Sequence, residues 1–213
     1  MAPCILFDLD GTLVDSRADL VLGVNLARRD LGLAPLAEER VVSFVGEGMR
    51  NLVARALPEC PERLDDAVEL TRLHYSQHLL DHTRPYPGVK LALAELRGLG
   101  YALGVVTNKP QEFSEAVLNG LGLAEFFRAV VGGGVCPQLK PDPAPLRLAL
   151  EQCGAGAAGS WMAGDHFTDL ESGRRAGLKC CFCRYGFGDP RSEGWDLAVD
   201  TLTELPAYLK GGV

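Results

Sequence analysis

Pro3-Cys4-Ile5-Leu6-Phe7-Asp8-Leu9-Asp10-Gly11-Thr12-Leu13-Val14-Asp15-Ser16 is the stretch on which the reading turns. Its apolar half, Pro3 to Phe7, has the length and bulk of a strand buried on both faces. Two carboxylates and a glycine then interrupt it. A buried strand that ends on acidic residues is a common way to project charge into a cleft, because parallel sheets bind ligands beyond the carboxyl ends of their strands.

Four more short apolar runs end in chemistry-bearing residues or loops. They cover Tyr101 to Val106, Arg128 to Val131, Ser160 to Ala163 and Lys179 to Cys183. Helical patterns lie between them, at about Val89 to Leu99, Gln111 to Leu121, Ala144 to Gln152 and Thr168 to Ala176. Leu91, Leu93, Leu96 and Leu99 illustrate the spacing. Strands alternating with helices predict an α/β fold: a Rossmann-like, mostly parallel sheet with helices on both faces. From about Asp15 to Thr83 the alternation stops. Helical patterns at Arg17 to Leu31, Glu47 to Leu57 and Leu64 to Leu80 are punctuated by Gly32, Pro35, Pro58 and Pro61. Arg84-Pro85-Tyr86-Pro87-Gly88 reads as a stiff return connection. The expected organisation is a core of residues 1–14 and 84–213 with a helical cap inserted at 15–83.

The bulk composition sets bounds. The 213 residues are 47% hydrophobic and 23% charged, which suits one globular core with a modest insertion. Net charge is −7, and no run of Lys or Arg exceeds two residues, which argues against nucleic-acid binding. The N-terminus lacks a basic and apolar leader pattern, and no stretch is long enough to span a bilayer. Seven cysteines, an odd number, read as reduced thiols and a cytoplasmic setting.

Reading past each strand end gives Asp8-Leu9-Asp10, Thr107-Asn108, Lys140-Pro141 and Gly164-Asp165-His166-Phe167-Thr168-Asp169. Acid, hydroxyl, ammonium and acid on one rim suit phosphoryl transfer. One carboxylate attacks phosphorus, and a second moves the proton of the leaving oxygen. A hydroxyl and an ammonium hold the phosphoryl oxygens. Clustered carboxylates require a hard cation, and oxygen ligands beside phosphate favour magnesium.

With these four motifs in order, and a helical segment after the first, the chain resembles the haloacid dehalogenase-like superfamily in its phosphoglycolate phosphatase-like branch. Asp-x-Asp-Gly-Thr-Leu-Val-Asp-Ser carries most of the specificity, and the resemblance covers nearly the whole chain. It implies Asp8 as nucleophile, Asp10 as acid/base, and Thr107 and Lys140 as phosphoryl-binding. Asn108 is placed with them as a substrate contact. The implied magnesium ligands are Asp8, the Asp10 backbone carbonyl and Asp165, with Asp169 close by in the same loop. An acid at Asp10 favours phosphate esters, because the dehalogenases lack one and the phosphonate-cleaving members carry a small residue there. The implied reaction is hydrolysis of a small phosphomonoester, with 2-phosphoglycolate as leading substrate, through an aspartyl-phosphate. A phosphomutase acting on a sugar phosphate and a non-catalytic regulatory protein are the alternatives.

His166 departs from the family pattern, which has a small polar residue there; it is expected either at the surface or at the site, titrating near neutrality. Gly46-Glu47-Gly48-Met49-Arg50 in the cap is the other open point. Arg50 is expected to pair with a substrate carboxylate, against the plainer reading of a solvated arginine. His74, His78 and His82 recur every four residues and suit either a metal or, more simply, a solvated helix face. Cys180, Cys181 and Cys183 read as small buried hydrophobes on alternating faces. Asp15 reads as a cap or hinge residue.

Overall fold

The structure is a computed structural model that describes residues 3–211. Eight strands occur among them: β1 Cys4–Phe7, β2 Val14–Asp15, β3 Arg84–Pro85, β4 Ala102–Pro110, β5 Ala129–Gly133, β6 Trp161–Gly164, β7 Lys179–Cys183 and β8 Leu197–Val199. Six form one parallel sheet in the order β5-β4-β1-β6-β7-β8. The five expected strands are all present. The sixth, β8, was not expected, because three residues with half-buried Leu197 and Ala198 carry little apolar signal.

β1 shows why the sheet is two-sided. All four of its residues are buried; Ile5 and Phe7 enter one apolar cluster, Cys4 and Leu6 the other. The alternation of side chains along a strand thus feeds two cores at once. The helices that cover the sheet are α5 Val89–Gly98, α6 Gln111–Gly120, α7 Ala144–Gln152, α8 Phe167–Arg175 and α9 Glu204–Gly211, which together follow the cap helices α1 Arg17–Asp30, α2 Glu38–Val42, α3 Met49–Ala56 and α4 Leu64–Gln77. The cysteines follow the same logic: Cys180 packs with Leu170 and Phe182, whereas Cys181 and Cys183 lie in the cluster of Phe7.

α1 to α4 enclose an apolar cluster of their own, built on Val24, Phe44, Leu52, Val53 and Leu57. At the boundary of this segment, β2 and β3 pair antiparallel, Val14 with Pro85 and Asp15 with Arg84. These two-residue strands were not expected and bring entry and exit of the inserted segment side by side. Asp15 accepts bonds from the backbone and guanidinium of Arg17, consistent with a hinge or capping role. Asp19 ties the other end, accepting from His82 N, Thr83 N and Thr83 Oγ1.

Candidate active site

Sheet order builds the site. β1 is central, with β4 on one side and β6 on the other, so Asp8 and Asp165, just past the ends of β1 and β6, meet Thr107 in the C-terminal part of β4. The loop between β5 and α7 delivers Lys140, and the first turn of α8 delivers Asp169. All five side chains are buried.

Asp8, Asp165 and Asp169 each offer a carboxylate oxygen within 4.8 Å of the others. Three anions so close, out of water, repel strongly unless a cation joins them. Burial, joined by the Asp169 and Asp10 charges, pushes Asp8 up to about 6 despite the pull of Lys140. Burial and the charges of Asp169 and Asp8 likewise raise Asp165 well above the usual carboxylate range. Asp8 Oδ1 lies 2.9 Å from Lys140 Nζ, a buried ion pair. Three buried carboxylates around one ammonium still leave net negative charge, a donor set that fits a hard, oxygen-seeking cation.

Each anion is nonetheless held in place. Asp165 Oδ2 accepts from Phe187 N at 3.0 Å and Gly188 N at 2.7 Å, and Oδ1 accepts from Thr12 Oγ1 at 3.1 Å. Gly11, at φ +83°, passes so close that a Cβ there would sit 2.0 Å from Asp165 Oδ2. That approach is why the first motif needs a glycine. Asp169 Oδ1 accepts from Lys140 Nζ at 2.6 Å, and its Oδ2 accepts from His166 N at 3.0 Å as part of a capping box at the start of α8. Lys140 Nζ also donates to Val106 O at 2.6 Å. Burial alone would discharge this lysine, but Asp169 and Asp8 outweigh it and raise its pKa. Thr107 Oγ1 accepts from Lys109 N at 3.3 Å, and its own hydrogen remains available to a phosphoryl oxygen.

Residues 5–183 match the family described as haloacid dehalogenase-like hydrolase. The chain belongs to that family. It is 40% identical to the plasmid phosphoglycolate phosphatase of Cupriavidus necator, over 97% of this chain and 94% of that one. Identity to the phosphoglycolate phosphatase of Chromobacterium violaceum is 37%, covering 98% and 96%. A crystal structure described as a predicted phosphoglycolate phosphatase from Haemophilus somnus superposes with a TM-score of 0.91 at 29% identity, over 98% of each chain.

One expectation for this haloacid dehalogenase-like hydrolase needs correction. Arg50 does not reach the cleft: its side chain is 63% exposed and pairs with Asp65 at 2.7 Å, so the solvated reading holds. Asn108 lines the cleft, but its amide is engaged elsewhere. Asn108 Oδ1 accepts from Lys140 N at 2.8 Å, and Nδ2 donates to Lys140 O and to Gly46 O, each at 2.9 Å. It clamps the Lys140 loop to Gly46 at the edge of the cleft. His166 lines the cleft, as one of its two readings had it, but does not titrate near neutrality. It is buried beneath Gly46, where burial pushes its pKa down to about 4, so it stays neutral at neutral pH. Its ring packs on Phe167 and accepts from Thr168 N. The histidine ladder dissolves: α4 ends at Gln77, His74 pairs with Asp30, and His78 with Asp81.

The residue that sequence reasoning missed is Lys109. It is buried, and Nζ donates to Asp10 Oδ1 at 2.9 Å, Asp10 Oδ2 at 3.0 Å and Tyr75 Oη at 2.5 Å. Ser16 Oγ adds a 2.6 Å bond to Asp10 Oδ1. The available signal was its place directly after Thr107-Asn108 at a strand end. Phe187 and Gly188 were missed as well, since a glycine-rich loop after β7 gives no hint that its amides fold back on Asp165.

Proposed function

We propose that the protein is a phosphomonoesterase that forms and hydrolyses an aspartyl-phosphate on Asp8, with 2-phosphoglycolate as its leading substrate. The observation that carries this reading is the convergence of Asp8, Asp165 and Asp169 with Lys140 at the ends of adjacent strands. The relatives named as phosphoglycolate phosphatases, matched end to end at 37–40% identity, support the substrate.

Asp8 attacks phosphorus as the bond to the leaving oxygen breaks, and Asp10 supplies the proton that oxygen takes. Water then attacks the aspartyl-phosphate, with Asp10 accepting its proton, and phosphate and free Asp8 result. Lys140, fixed by Asp169 and Val106, and Thr107 hold the phosphoryl oxygens as charge spreads over them. Magnesium held by Asp8, the Asp10 carbonyl and Asp165 would neutralise phosphoryl charge and lower the repulsion that Asp8 meets on approach. Asp169 positions Lys140 and bounds the metal site. Residues 15–83 act as a cap whose closure excludes water from the intermediate's formation, with the β2–β3 pair as hinge. Free cysteines throughout suit a reducing cytoplasm.

The test is phosphate release from small phosphomonoesters with and without magnesium. Wild type should release phosphate only with the metal, and Asp8→Asn should release none. Release that persists in Asp8→Asn would reject the mechanism. Transfer of phosphate between positions of a sugar phosphate, without release, would favour a mutase.

A further inference from the structure

The cleft between cap and core is small, with a cavity volume of about 50 Å³. Its cap wall is mostly apolar, with Leu20, Val24, Met49 and Leu52 facing it. An anionic tail placed there without a partner would be strongly disfavoured. The exceptions on that wall are Thr71 and Tyr75, four residues apart and therefore on one face of α4. Opposite them, Lys109 is the one lysine or arginine lining the cleft among the described residues.

Two details single out this trio. Thr71 Oγ1 is buried, at 3% exposure for the residue, and has no hydrogen-bond partner. A buried hydroxyl left without a partner is destabilising unless a ligand fills it. Lys109 meanwhile holds both oxygens of Asp10, the group that must turn to the leaving oxygen for catalysis.

Building on the phosphatase reading above, we propose that Lys109, with Thr71 and Tyr75, binds the carboxylate tail of the substrate, and that this carboxylate replaces Asp10 on Lys109. The exchange swaps one anion for another, so the buried ammonium never loses its counter-ion. A neutral tail offers no such exchange: either Asp10 stays tied to Lys109, or the ammonium is left as an unpaired buried charge, which is strongly disfavoured. Because Lys109 is within hydrogen-bond distance of Asp10, the favoured carboxylate lies close to the leaving oxygen, one carbon removed from the carbon that bears it or less. Recognition and release of the acid/base group thereby become one event.

The test compares kcat/KM for 2-phosphoglycolate with that for ethyl phosphate, which has the same carbon chain without the carboxylate, both with saturating magnesium. Wild type should prefer 2-phosphoglycolate by about 100-fold, the scale of a buried charge-assisted bond. Lys109→Met should reduce that ratio to a few-fold, Lys109→Arg should restore part of it, and Thr71→Val should lower it by about tenfold. Arg50→Ala, far from the cleft, should leave the ratio unchanged. Equal slowing of both esters in Lys109→Met would show that Lys109 serves Asp10 alone and would overturn the inference. Should Lys109→Met not fold, an unaltered ratio in Thr71→Val and Tyr75→Phe would overturn it equally. A wild type with no preference would overturn it while leaving the phosphatase reading intact. No Asp8-dependent release from either ester would remove that reading and this inference together.

Discussion

At the scale of single residues, the site is a set of charges whose positions matter more than their number. Asp169 illustrates it. Both of its oxygens accept bonds, one from Lys140 and one from the His166 amide, so it works by aiming Lys140. Asp169→Asn should cost about 3 kcal/mol of stability, since Lys140 would lose a buried partner. It should also lower kcat more than it raises KM, measured on the best ester. Arg50→Ala should change kcat and KM less than twofold, because an exposed pair with Asp65 contributes little. Asp8, Asp10, Thr107 and Asp165 stood out in the sequence because each lies at or just past a buried apolar run, and Lys140 because it sits in the loop beyond the third. Lys109 was not, since a buried lysine and a surface lysine look alike until the partner, here Asp10, is placed beside it.

At the scale of elements, glycines set how closely loops approach. Gly11 lies against Asp165, and Gly46, at φ +115°, lies against His166, where a Cβ would be 2.7 Å from Cε1. Gly11→Ala should displace Asp165 and reduce activity at least about 100-fold, with a rise in the magnesium concentration needed for half-maximal rate. Gly46→Val should act on the cap instead. It prevents Gly46 from resting over His166 and breaks the geometry of the Asn108 bond to Gly46 O, so kcat/KM should fall by about tenfold while the thermal midpoint moves only a few degrees. A Gly46→Val enzyme with unaltered kinetics would show that the cap does not close through this contact. Helices with a clear apolar stripe, such as Ala144–Gln152, stood out in the sequence to the residue. The β2–β3 pair did not, because two-residue strands carry no periodicity and exist only where distant segments meet.

At the scale of the whole molecule, the fold stores electrostatic strain that a bound cation would relieve. Asp8 is shifted from its usual 3.8 up to about 6, chiefly by burial. A carboxyl raised in the folded state binds more protons there than when unfolded, so its contribution to stability is present below about pH 4 and is lost as pH rises through about 6. The metal-free Asp8→Asn protein should therefore be more stable than metal-free wild type at pH 7.5, by about 3 kcal/mol, with the difference shrinking to about 1 kcal/mol at pH 4.5. His166, whose pKa burial lowers against the pull of the Asp8 charge, acts the opposite way in that window in both proteins, losing stability as pH falls from 6.5 toward 4. Magnesium should raise the thermal midpoint of wild type more at pH 7.5 than at pH 4.5, because it binds the ionised carboxylates. A metal-free Asp8→Asn protein less stable than wild type at pH 7.5 would contradict the stored strain.

What the sequence determined by itself was the alternation of five buried strands with helices, the helical insertion after the first strand, and the acidic, hydroxyl and basic groups at the strand ends. These are local properties: apolar runs, periodicity and the residue that follows each run. Only the tertiary structure decided which groups face one another. It placed β1 between β4 and β6, turned Arg50 outward to Asp65, fixed Asn108 between the Lys140 loop and the cap, buried His166 as a neutral ring, and set Lys109 between Asp10 and Tyr75. Each of those outcomes depends on a partner tens of residues away, and the charge state or free valence of a side chain is set by its partner and its burial, which local sequence does not encode.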